Sequence, residues 1–173
     1  TTIRPSSFLR LLQLSSQSLP VGAFAYSQGL ESAVEAGAVC DEETLFEWTT
    51  QQLDCCVGRV DLPMLWRLID AIAFGHLERE HLLTRQLLAM RETSGLRDDD
   101  LQRGRALKRL LEELGFDVGA KFDRTSISAW PFARATAHAV RAWQLPVRES
   151  IAAYAWAWAE NQVLVGVKTI PLG

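Results

Sequence analysis

Leu107, Leu111 and Leu114 follow one another at intervals of four and three residues, as do Leu83, Leu87 and Met90. That spacing puts each set on one stripe of an α-helix. Met64, Leu65, Leu68, Ile69 and Ile72 repeat the pattern, and no segment shows the period-two alternation between hairpin turns that strands require. A chain of 173 residues that is 48% hydrophobic can bury one core without staples. The expected fold is an all-α, single-domain bundle of about seven to nine helices joined by short loops. Residues 151–159 (IAAYAWAWA) are apolar on every side, which predicts a helix at the centre of that bundle.

Punctuation along the chain agrees. Phe8, Leu9, Leu11 and Leu12 open a short apolar helix, and Leu30, Ala33 and Val34 carry a second. Asp41 reads as the N-cap of a helix running to about Val60, with Leu45, Trp48, Gln52 and Cys55 on one stripe. Asp61 reads as the cap of the next helix, with Pro63 in its first turn and Gly75 at its end. Asp98, Asp99 and Asp100 fall early in the helix that Gly115 closes. Residues 116–128 read as a loop, Ser128 as a cap, and Leu145-Pro146 as the boundary before the last helix.

Chemistry-bearing residues are sparse. Lys plus Arg number 18 against 21 Asp plus Glu, a net charge of −3 without a basic block, so neither nucleic acid nor an anionic membrane is an expected partner. His76 and His81 are five apart and His138 is distant, a spacing that reads as surface or interface histidines rather than ligands. Cys40, Cys55 and Cys56 read as reduced thiols of a cytoplasmic protein, one of the adjacent pair facing the core and the other a groove. There is no Gly-x-Ser-x-Gly elbow and no phosphate-binding glycine loop, and the single Glu-x-x-His spacing at Glu78 has no second copy. No catalytic residue is expected. Surface for contact is plentiful, with six tryptophans, of which Trp156 and Trp158 read as core.

The segment 14–37, LSSQSLPVGAFAYSQGLESAVEAG, stands apart. Pro20 holds its own φ and keeps Leu19 extended, and Gly22 opens φ values closed to other residues, so Leu-Pro-Val-Gly has one rigid shape. Phe24 and Tyr26 follow, then Ser27, Gln28, Gly29 and Glu31 on the opening turns of a helix. Gly29 within a helix predicts close approach of another backbone. Leu19-Pro20-Val21-Gly22, Phe24, Tyr26-Ser27 and Gly29-Leu30-Glu31 resemble the signature of the UreF urease accessory proteins. Arg91-Glu92-Thr93, Leu96-Arg97 and Gly104 match a second block, Val167-Lys168 with Pro171-Leu172-Gly173 a third, and Asp61-Leu62-Pro63 a weaker fourth.

The resemblance implies a non-catalytic scaffold that works as a homodimer in the cytoplasm. It would join the UreD/UreH accessory protein and the nickel-carrying GTPase UreG to the urease apoprotein. No tightly bound cofactor is implied; nickel is handled by the complex. It also implies that this chain lacks a C-terminal tail of several helical turns. Pro20, Gly22, Tyr26, Ser27, Glu31 and Lys168 are the implied partner-binding residues. Arg91, Glu92 and Arg97 join them as residues that pin the turn between two helices and shape a surface; their other reading is a solvated helix face with local ion pairs. A competing reading is an all-α enzyme or carrier with an aromatic or apolar cofactor among Trp130, Trp143, Tyr154 and Trp158.

Overall fold

A computed structural model describes residues 4–22, 27–118 and 128–171. Its elements are α1 (Pro5–Ser15), α2 (Leu30–Glu35), α3 (Glu42–Gln52), a π-helical segment (Leu53–Asp61), α4 (Leu62–Ala73), α5 (Leu77–Ala89), α6 (Ser94–Glu113), α7 (Phe132–Ala142) and α8 (Val147–Thr169). The fold is all-α, as the periodicity requires. Among the described residues there is no strand, and no helix is long and apolar enough to cross a membrane.

Local signals hold where they are local. Asp41 caps α3 in a capping box with Thr44, Pro63 sits in the first turn of α4, and Gly75 and Gly115 end α4 and α6 with left-handed φ. Met90 and Leu114, at the ends of their stripes, are exposed.

Other expectations are corrected. The helix from Asp41 does not stop near Val60; it widens after Gln52 into the π-helical segment and flows into α4. Asp61 is therefore mid-helix and caps nothing; it is buried instead. Cys55 and Cys56 both face outward on the wide turn. α7 begins at Phe132, beyond Ser128, because its first amide is met from another helix: Phe132 N–H donates to the Asp100 carboxylate over 2.8 Å.

The central helix is α7 and not the apolar half of α8. Ala133, Ala135, Ala137, Ala139 and Val140 are all buried between α4 and α6. Small side chains bring these backbones close, and at Gly104 on α6 a Cβ would stand 1.8 Å from the Trp130 carbonyl oxygen. The close approach expected at Gly29 is found here. Along α8, residues 151–159 are half-buried or exposed, with Trp156 63% exposed, while the buried positions are Ser150, Asn161, Gln162, Val165 and Gly166.

Two cores result. The larger joins α1, α4, α5, α6 and α7 through residues such as Leu14, Leu65, Leu68, Leu87, Leu107 and Ala135. The smaller joins Leu30 and Ala33 of α2, Val39, Leu45 of α3, and Val165 and Ile170 at the end of α8. α8 thus spans both.

Candidate functional site

The rigid joint after α1 is a chain of short backbone bonds. Leu19 N–H donates to the Ser16 carbonyl at 3.1 Å and Val21 N–H to the Leu19 carbonyl at 2.7 Å. Val21 plugs the larger core, which leaves Pro20 and Gly22 (φ +75) at the surface. Phe24 and Tyr26 lie outside the described residues. Gln28 and Gly29 then take φ of +52 and +99, and Leu30 N–H donates to the Ser27 carbonyl. Gly29 is the residue before α2 rather than within it. Among the described residues only Trp48 comes near it, 3.9 Å from where a Cβ would stand, and the left-handed backbone is what calls for a glycine.

Beneath this loop, charged residues from the π-helical segment, α6 and the turn between α5 and α6 meet. Arg91 donates to Asp61 at 2.6 Å and to Asp100 at 2.9 Å; Arg103 donates to Asp99 at 3.0 Å. Asp61, Asp99 and Asp100 are all buried. Burial works against the Arg91 charge, but the carboxylates of Asp100 and Asp61 outweigh it and hold the guanidinium protonated more firmly than usual. Burial pushes the Asp99 carboxyl above its ordinary range despite Arg103. Tyr154 is pushed up as well, by burial and then by Asp61 and Asp100, so it stays a neutral phenol. Arg91 is thus a pin between helices. Arg97 reinforces it by donating to the Arg91 carbonyl at 3.3 Å, and both Arg97 and Glu92 are exposed.

The cluster borders a cavity of about 80 Å³ that Gln28, Tyr154 and Trp158 also line. Sites for drug-sized ligands run to roughly 300–1,000 Å³. The four aromatic residues of the competing reading do not surround a common space. Tyr154 and Trp158 line this cavity, Trp143 lies under Arg10 beside α1, and Trp130 packs on His138 and Arg134.

Glu31 is exposed on the first turn of α2, and Lys168 is exposed on the last turn of α8. The smaller core joins those two helices, with Leu30 and Ala33 against Val165 and Ile170. Ser27 is half-buried, and its carbonyl accepts from the Gln162 amide at 3.4 Å.

Sequence reasoning missed the partners beneath this surface. Asp99 and Asp100 read only as acids early in a helix, yet they are buried among charged partners; the Asp99/Arg103 spacing of four was the available signal. It also missed a buried triad in which Glu80 Oε1 accepts from Arg134 at 2.7 Å and pairs with the His138 ring nitrogen at 3.0 Å. Burial disfavours the Glu80 charge, but His138 and Arg134 outweigh it and hold the carboxyl below its usual range. Among the described residues no three His, Cys, Asp or Glu side chains are arranged to hold a metal ion.

The model of the UreF family matches residues 39–173. The chain belongs to the UreF family of urease accessory proteins. It is 42% identical over 170 residues to the urease accessory protein UreF of Azoarcus sp. (strain BH72), covering 95% of this chain and 72% of that one. To the UreF of Alkalilimnicola ehrlichii it is 41% identical over 164 residues, 95% of this chain and 71% of that one. The bifunctional urease accessory protein UreEF of Bordetella bronchiseptica is 40% identical over 168 residues, 94% of this chain and 38% of the longer protein. Within this UreF-family chain the signature residues divide in two: Arg91 and Asp61 are internal pins, whereas Pro20, Gly22, Glu31, Glu92, Arg97 and Lys168 reach the surface.

Proposed function

We propose that this chain is a non-catalytic scaffold that joins UreD/UreH and the nickel-carrying GTPase UreG to apo-urease, acting as a cytoplasmic homodimer. The observation that carries this reading is the placement of Glu31 and Lys168. Two exposed charges of opposite sign stand on helices locked together by their own small core. Such a surface holds its shape when a partner arrives, and charges on it supply register and selectivity. The small cavity and the internal neutralisation of its charges also favour contact over chemistry. The name of the bifunctional UreEF relative supports work alongside other urease accessory proteins. Nickel is cargo of the assembly in this reading, and Pro20, Gly22 and Ser27 extend the docking face; Tyr26, outside the described residues, is assigned to partner binding on the signature match alone.

The test is co-purification with UreD and GTP-loaded UreG, followed by urease activation in the presence of nickel. Glu31→Ala and Lys168→Ala are expected to keep the helical fold, weaken UreG retention and lower urease nickel content. Wild-type retention and activation in both variants would overturn the docking assignment.

A further inference from the structure

Three side-chain contacts converge on residues 27 and 28. The Trp158 indole N–H donates to Gln28 Oε1, Gln28 Nε2 donates to Asp99 Oδ2 at 3.4 Å, and Gln162 Nε2 donates to the Ser27 carbonyl. Trp158 and Gln162 are four apart and so share one face of α8. Gln162 is fully buried, and its Oε1 also accepts from Trp48 of α3 at 3.4 Å. Gln28 itself holds φ +52, a left-handed conformation that side chains with a Cβ resist, and persists there only if its surroundings over-determine it. α2 starts two residues later, so the direction of this helix is set at that turn.

We propose that Gln28 is a positioning residue: clamped between the Trp158 indole and the Asp99 carboxylate, it fixes the Gln28-Gly29 turn and thereby the direction in which α2 presents Glu31. The inference rests on the docking reading of Glu31 for its consequence, though not for its geometry. The clamp also links two signature blocks. Asp99 holds Gln28, and its neighbour Asp100 holds Arg91, so the turn after α5 and the start of α2 are referred to the same stretch of α6. A glutamine suits this place because one amide both accepts from the indole and donates to the carboxylate. A glutamate there would accept from the indole but face Asp99 with like charge.

The experiment compares Gln28→Glu, Asp99→Asn, the double variant and Trp158→Phe with wild type. Two quantities are read: hydrogen exchange at the amides of residues 30–35, and retention of GTP-loaded UreG by the complex with UreD. Gln28→Glu is expected to speed exchange in α2 about tenfold and to weaken UreG retention by a similar factor. The double variant restores both, because the amide introduced at position 99 can donate to the carboxylate introduced at position 28 and still accept from Arg103. Trp158→Phe keeps a ring in place but removes the indole donor, and is expected to reproduce the exchange effect if Gln28→Glu fails to fold. Wild-type exchange in Gln28→Glu, or in Trp158→Phe, would overturn the clamp, as would a double variant no better than Gln28→Glu. Rescued exchange with UreG retention unchanged in both Gln28→Glu and Glu31→Ala would leave the clamp standing and overturn the docking reading instead.

Discussion

Arg91 Nη2 stands 2.6 Å from Asp61 Oδ1 and so ties the turn after α5 to the last residue of the π-helical segment. The same guanidinium reaches Asp100 through Nε at 2.9 Å, and Asp100 in turn accepts the first amide of α7. One arginine thus holds the ends of three helical elements.

Truncating Arg91 strands two buried carboxylates. Removing one partner of a buried pair typically costs about 3–5 kcal/mol, so Arg91→Ala is expected to fall in that range in urea denaturation. Arg91→Lys is expected to recover only part of the loss, since one ammonium cannot reproduce the planar fork that serves two acids at once. Arg97→Ala, whose side chain is exposed, is expected to stay within about 1 kcal/mol of wild type.

Gly104→Ala tests the closest helix contact. The new methyl would stand 1.8 Å from the Trp130 carbonyl oxygen and 2.6 Å from the Pro131 carbonyl carbon, both backbone atoms that cannot rotate away. α6 and α7 must separate to admit it. Overpacking costs about 1–3 kcal/mol where side chains give way, and the upper end or beyond is expected here. A melting temperature within a degree of wild type would contradict the geometry.

Glu80 is expected to contribute to the acid limb of stability. Its carboxyl lies below its ordinary value in the folded chain, because His138 and Arg134 outweigh burial. A depressed carboxyl contributes stability that is fully present above the unfolded value and lost as pH falls through the folded one. Stability measured by denaturant titration is therefore expected to drop as pH falls below the ordinary glutamate range, and Glu80→Gln, less stable at neutral pH, to show a shallower drop. Parallel pH profiles would exclude Glu80 as the source.

The cysteines offer a rapid check of the π-helical segment. Cys40, Cys55 and Cys56 are all free and exposed, so a thiol-specific disulfide reagent is expected to titrate all three in native buffer. Burial of the sulfur and the neighbouring Cys55 push the Cys56 thiol up, so Cys56 is expected to react most slowly. Two fast equivalents and one seen only in denaturant would place a thiol inside.

What the sequence by itself determined is what short-range physics controls. Helical period, the Asp41 cap, the left-handed glycines at the ends of α4 and α6, and the stiff Leu19–Gly22 joint each depend on a few neighbouring residues. The signature blocks were legible in the same way, and they carried the family. Burial was not, because it depends on what packs from elsewhere. The run at 151–159 has no polar face to turn outward, yet it lies half-exposed, whereas α7 is enclosed because its alanines and Gly104 let three helices close on one another. Asp61 read as a cap and Asp99 as an acid early in a helix; only the tertiary structure, by bringing Arg91, Arg103 and Gln28 to them, made them buried pins. A charge can leave water only where its partners arrive together, and partners up to 71 residues away in sequence leave no mark on the local pattern.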